Sequence, residues 1–194
     1  MRWQRPMRRD APTDCGTDEI ERGLRRASLV LVDDRLMELV EVERIRADAE
    51  EAVRAFRNDL AEVLGDAEVH HIGATSLPFG HTKGDVDVNV RVAEPEFGRL
   101  VAALDRRLER AQEENWTPTF ASFSTGAYCL PLGVQVTVVG SHDDFLLALR
   151  ERMRSEPELL RRYDEVKTAA ASRGVDRYRE AKAAFFEVLL ATSG

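Results

Sequence analysis

The sequence predicts an α+β domain: a mixed sheet with helices packed on one face, followed by a C-terminal helical extension. Three observations carry this. Valines alternate with polar residues in DVDVNVRV (Asp85–Val92) and again in VQVTVV (Val134–Val139), the period-2 pattern of strands with one apolar face. Ile45, Ala49, Ala52, Val53, Phe56, Leu60 and Leu64 recur at spacings of three and four, the stripe of an amphipathic helix. The last third of the chain carries helical signals only. A chain of 194 residues, 43% of them hydrophobic, can bury one sizeable core and is short for two.

Residues 1–34 read as a flexible leader, because Arg2, Arg5, Arg8 and Arg9 are interrupted by Pro6 and Pro12 and followed by small polar residues. Glu19–Arg26 is the one stretch of it with helical character. Residues 35–194 form the domain. Leu36–Val42 is expected as a short strand, Glu43–Leu64 as the amphipathic helix, closed by Gly65. The sheet then takes Ala67–Ile72, Asp85–Val92, Thr117–Phe123 and one or two strands between Ala127 and Val139. A helix from Glu96 to Glu113 connects the second and third of these, with Trp116 covering the start of the third. Asp143–Met153 is helical, Ser155-Glu156-Pro157-Glu158 has the spacing of a capping box, and Asp176–Ala191 is the final helix, set off by Gly174.

Composition narrows the function classes. A net charge of −7 disfavours a polyanionic duplex as partner, since non-specific affinity for nucleic acid comes from Lys and Arg neutralising phosphates. The two cysteines, Cys15 and Cys129, make no disulfide framework or cysteine metal site. No apolar run reaches the roughly 20 residues that span a bilayer, and the Arg-rich start has no apolar segment behind it. A cytoplasmic protein with no membrane partner is expected.

The chemistry concentrates in His71–Val92. A Gly-containing turn is followed at short range by Asp85 and Asp87, which a strand would project to the side opposite its valines. Like charges about 7 Å apart repel unless a cation sits between them, and Mg²⁺ carrying a nucleotide phosphate suits two carboxylates. This is the local pattern of a nucleotidyltransferase site. A D-x-D pair alone commonly marks only a solvated strand face; the turn at this distance shifts the reading toward a site, because Gly73 permits close backbone approach and Asp85 returns the chain beside it.

The stretch HIGATSLPFGHTKGDVDV resembles the signature of the GrpB-like family, H-I-G-S-T-S-V-P-G-L followed by K-P and an aspartate-bearing strand. Leu149, Arg150, Pro157, Leu159, Tyr163, Lys167, Tyr178, Lys182 and Phe185 stand where that family places L-R, P-E-L, Y-x-x-x-K and Y-x-x-x-K-x-x-F. The resemblance covers about Arg35 to Leu190. It implies a polymerase-beta type nucleotidyltransferase fold, in a family whose physiological reaction is not generally established. Carried over by motif, Asp85 and Asp87 are the metal and catalytic carboxylates. Gly73, Ala74, Thr75 and Ser76 form the nucleotide-binding turn, and Lys83 meets a phosphate oxygen. Three positions depart from the pattern: Ala74 replaces a serine, Phe79 replaces a glycine, and Gln135 and Thr137 stand where active superfamily members commonly place a third carboxylate.

Several residues admit two readings. Lys83 is a phosphate contact or a surface lysine before a strand. Gln135 is a weak ligand or substrate contact, or a polar residue on the open face of an edge strand; it cannot accept a proton as a carboxylate would. His71 is expected to brace the turn by a hydrogen bond while His70 points to the other side. Together with His81 and His142 they lack the spacing of a zinc site. Tyr163, Lys167, Tyr178 and Lys182 form a base-stacking or phosphate-binding wall, or else pack as tyrosines in a helical core with snorkelling lysines. Two functions follow. One is an Mg²⁺-dependent transfer of a nucleoside monophosphate from a nucleoside triphosphate to a small-molecule or protein acceptor. The other is a nucleotide-binding or protein-interaction module that keeps the fold without transfer.

Overall fold

The computed structural model describes residues 38–191. A short strand β1 (Val40–Glu41) leads into helix α1 (Val42–Asp59), then the short α2 (Ala61–Leu64) and strand β2 (Glu68–Ile72). A 3-10 turn (Ala74–Ser76) follows, then β3 (His81–Thr82), β4 (Val86–Val92) and helix α3 (Glu94–Leu104). Beyond it come β5 (Glu109–Arg110), a second 3-10 turn (Glu113–Asn115), β6 (Phe120–Thr125) and β7 (Leu132–Val138). Three helices complete this part of the chain: α4 (Leu146–Ser155), α5 (Pro157–Ala171) and α6 (Val175–Ala191). The leader and the Glu19–Arg26 helix lie outside the described residues.

The main sheet has the order β2-β4-β7-β6-β5 and is mixed: β4 and β7 run parallel while the other neighbours are antiparallel. β1 and β3 form a separate antiparallel pair. Cross-strand partners share a face, and their identities give the sheet two unlike sides. Val88 opposes Val134, Val90 opposes Val136, and Phe123 opposes Val134, all buried against Ile45, Ala49, Ala52, Phe56, Leu100 and Leu104 of α1 and α3. Asn89 opposes Gln135, and Ser122 opposes Gln135 from the other side, so the reverse face is polar.

Four expectations are corrected. The long first helix is interrupted at Leu60, whose φ of −108° and ψ of 11° leave the helical region while Leu60 and Leu64 both stay in the core. The helix expected over Glu96–Glu113 ends at Leu104, the last residue it buries under the sheet. Beyond it the Arg110 guanidinium binds both oxygens of Asp105, and the chain turns back so that Glu109 and Arg110 pair with Ser124 and Phe123. The third strand starts at Phe120, because Thr117 and Thr119 are held in a turn by the Asp143 carboxylate. The capping box does not form: Ser155 closes α4 and donates to the Arg152 carbonyl at 3.1 Å, and Pro157 opens α5 without an N–H to cap.

The C-terminal helices build a second apolar cluster. Met153, Leu160, Tyr163 and Leu189 surround Leu77, with Phe79, Leu149, Phe185 and Phe186 packed against them. Leu77 and Phe79 therefore anchor the segment after the glycine turn in this cluster. The turn and the start of β4 lie between the two cores.

Candidate functional site

Asp87 is the centre of the site. It sits on β4 opposite Ile72 at the end of β2 and Gly133 near the start of β7. Gly73 immediately follows β2 with φ of +70°, and a Cβ added there would lie 2.9 Å from the Asp87 Cβ and collide with Oδ2. A Cβ on Gly133 would stand 2.9 Å from Asp87 Oδ1. The carboxylate is thus seated between two glycine backbones; only glycine fits at position 73, and a side chain at 133 would displace the carboxylate. Gln135 completes the seat, its Nε2 donating to Asp87 Oδ1 at 3.2 Å.

The partner carboxylate is placed differently from expectation. Asp85 lies one residue before β4 rather than on the strand, and Lys83 Nζ binds its Oδ2 at 2.8 Å. The two acids still sense each other. Burial first, and the Asp85 charge second, push the Asp87 carboxyl above the usual carboxylate range, while Lys182, Gln135 and Lys83 act the other way.

The turn itself is internally braced. His71 and His70 point to opposite sides of β2, as expected, and His71 Nε2 shares a 2.9 Å hydrogen bond with Thr75 Oγ1. Ser76 Oγ donates to the Gly73 carbonyl at 2.7 Å, and the Ala74 carbonyl accepts from Leu77 N at 3.1 Å. Thr75 and Ser76 are both buried, so their hydroxyls hold the turn's shape. Burial, reinforced by Arg150, Arg57, Arg46 and Arg154, lowers the His71 imidazole to about 4, so it is neutral near pH 7.

Three of these arginines hold the turn from behind, a feature absent from the sequence reading. Arg150 donates to the His71 carbonyl at 2.6 Å, Arg154 to the Ser76 carbonyl at 3.0 Å, and Arg46 to the Pro78 carbonyl at 2.7 Å. Arg150 and Arg154 come from α4 and Arg46 from α1. With carbonyls engaged by guanidinium groups, the back of the turn is positive, which favours an anion at its front. Gly133 was missed as well; a lone glycine in an otherwise β-branched strand is its sequence signal.

The C-terminal tyrosines and lysines arrive as a packed layer. Tyr163 and Tyr178 are both 3% exposed, Tyr163 with its ring against Phe185 and Phe186. Burial raises both phenols first; Tyr178 and then Asp87, Asp85 and Asp164 add to it at Tyr163, and the same three acids at Tyr178. Lys182 lies over the Tyr178 ring and is near enough to Asp87 to oppose its upward shift. Lys167 departs from the snorkelling alternative. It is 1% exposed, stacks over Tyr163 and donates to the His81 carbonyl, 3.3 Å from Asp164. Asp164 in turn binds His81 N at 2.7 Å and Nδ1 at 2.8 Å, tying α5 to β3.

Asp143 and Asp144, at the approach to α4, do not join the site. Asp143 binds Thr117 and Thr119, and Asp144 forms a two-pronged pair with Arg91 at 2.7 and 2.8 Å. No group of three or more His, Cys, Asp or Glu side chains arranged to hold a metal occurs among the described residues. No helix among them is long and apolar enough to cross a membrane.

Fold and site together define an α+β domain in which a braced glycine turn is pressed onto an aspartate-bearing strand. The chain belongs to the GrpB family: the family model described as GrpB protein matches residues 39–192. A UPF0157 protein of Vibrio cholerae serotype O1 is 31% identical over 170 residues, covering 86% of this chain and 88% of its own length. The crystal structure of the conserved protein GrpB from Enterococcus faecalis superposes with a TM-score of 0.59 at 19% identity, over 78% of this chain and 99% of that one, and shows the same fold. The Cid1 poly(U) polymerase structure aligns with a TM-score of 0.42 at 11% identity, over 65% of this chain and 42% of that one.

Proposed function

We propose that this chain is an Mg²⁺-dependent nucleotidyltransferase that moves a nucleoside monophosphate from a nucleoside triphosphate to a small-molecule or protein acceptor. The seating of Asp87 against Gly73 carries this reading. It brings a turn backed by three guanidinium groups into van der Waals contact with a carboxylate, and a phosphate bridging turn and cation needs that juxtaposition.

The residues present fit Mg²⁺. Asp85 and Asp87 offer hard oxygen donors, and Gln135, whose Nε2 donates to Asp87, has a buried Oε1 with no hydrogen-bond partner among the described residues. Asp85 and Asp87 would hold the ion, which when bound would neutralise charge on the triphosphate and the leaving pyrophosphate. The rest is positioning by the chain. The turn from Gly73 to Ser76 would orient the phosphates, and Lys83, paired with Asp85, would offer its charge to a phosphate oxygen. Lys182, with Tyr178 beneath it, adds a positive wall opposite. In the transfer, an acceptor oxygen or nitrogen bonds the α-phosphorus, the bond from it to the oxygen bridging to the β-phosphate breaks, pyrophosphate departs, and the acceptor's proton passes to water.

Asp85→Ala tests this reading. The variant is expected to abolish Mg²⁺-dependent nucleoside triphosphate binding by calorimetry, and pyrophosphate release with it; binding and turnover equal to wild type would sink the proposal. A second reading, a nucleotide-binding or protein-interaction module, is favoured by Gln135 in place of a third acid. It predicts calorimetric heat with Mg²⁺ and a nucleoside triphosphate but no pyrophosphate.

A further inference from the structure

We propose that Gln135 is the third protein ligand of this site, so that the chain holds one divalent cation between two carboxylates and a neutral amide oxygen. The inference rests on the nucleotidyltransferase reading and adds to it the number of ions and the identity of the ligands.

The orientation of the amide is fixed by chemistry. An Asp87 that holds a cation is ionised and its Oδ1 can only accept, so the Gln135 atom 3.2 Å from it is Nε2, and Oε1 is the end left over. That oxygen is buried and has no partner among the described residues. A buried acceptor without a partner is rare in a native fold and calls for a physical reason. Its neighbours favour a cation. Asp87 is bonded at 3.2 Å through the other end of the same amide, and Asp85, two residues along the chain, acts on Asp87 by its charge; all offer oxygens of the kind Mg²⁺ accepts. Gly133, by lacking a side chain, leaves the space between Asp87 and Gln135 open.

The same geometry limits the site to one ion. Asp143 and Asp144 are committed to Thr117, Thr119 and Arg91. The next polar side chain along the sheet face is Asn89, 0% exposed, with Nδ2 bonded to the Gln135 carbonyl and Thr137 Oγ1. Asp164, which acts on Tyr163 and Tyr178 together with Asp85 and Asp87, is committed to His81, so none of these three acids is free for a second divalent ion, while Asp85 and Asp87 already balance the charge of the first.

Mn²⁺ alone, titrated into the full chain and followed by electron paramagnetic resonance, tests this without any acceptor. Wild type is expected to take up one ion, with about three of six coordination positions left to water as counted by line broadening in ¹⁷O-water. Gln135→Met should bind about tenfold more weakly, with about one more coordinated water. Gln135→Glu should restore the wild-type water count. Unchanged affinity and water count in Gln135→Met, alongside loss of binding in Asp87→Ala, would assign Oε1 to an ordered water and overturn this inference while leaving the transferase reading intact. Two ions in wild type would overturn it as well. If wild type binds no Mn²⁺, or Asp87→Ala binds as well as wild type, both readings fall together.

Discussion

Gly73 is the residue on which the site turns, because its φ of +70° and the Asp87 carboxylate beside it leave no place for a side chain. Gly73→Ala is expected to destabilise the fold by about 2–4 kcal/mol, combining left-handed backbone strain with displacement of Asp87, as read from urea unfolding. A substitution at exposed Gly126, which has open space where its Cβ would stand, is the control. His71 carries a pH dependence of defined sign. Its imidazole is lowered from 6.5 to about 4 in the fold, so between those values the unfolded chain binds more protons and stability rises with pH. The shift sets a ceiling of roughly 3 kcal/mol, reduced by partial solvent access to about 2 kcal/mol. The unfolding midpoint of wild type should fall from pH 7 to pH 4 by more than that of His71→Gln; equal slopes would remove His71 as a source.

At the scale of elements, the turn is a product of β2, α1 and α4 together. β2 delivers Gly73 at its end, while Arg150 and Arg154, one helical turn apart on α4, reach the His71 and Ser76 carbonyls. Residues i and i+4 share a helix face, so one face of α4 bears on the back of the turn. Arg150→Met keeps the stem and removes the donors; it should weaken binding of Mg²⁺ with a nucleoside triphosphate about tenfold, a loss on the order of 1.4 kcal/mol. Calorimetry at matched temperature would measure it, with near-UV circular dichroism confirming the native packing. Binding as tight as wild type would reduce Arg150 to a brace with no bearing on the anion. The same scale explains β5: once α3 has buried Leu100 and Leu104, the Asp105–Arg110 pair makes a short edge strand in what reads as more helix.

For the whole molecule, two cores meet at one polar seam. The valine face of the sheet packs on α1 and α3, the C-terminal helices cluster around Leu77, and Asp164 and Lys167 join the second body to β3. Asp85, Asp87 and the tyrosine and lysine layer occupy that seam. The net charge of −7 remains a property of the entire chain. Fluorescence anisotropy should find no saturable, salt-sensitive binding to duplex DNA at physiological ionic strength, since acids outnumber bases 35 to 28 in the chain. Micromolar binding with a steep salt slope would overturn that expectation.

The strand and helix pattern of the core is legible along the chain, because periodic burial is written directly in the spacing of Val86, Val88, Val90 and Val92 and of Ile45, Ala49, Ala52 and Phe56. The sequence by itself also marked Gly73 and Asp87, since a turn glycine before an alternating strand is a local signal. Tertiary structure alone decided what those residues touch. Gly133 reaches Asp87 from a strand more than forty positions away, Arg150 reaches His71 across 79, and Lys167, legible only as one of a pair of tyrosine-lysine repeats, is buried against His81 across 86. Such contacts depend on which strands are neighbours and how helices cross them, and no periodicity along the chain encodes that.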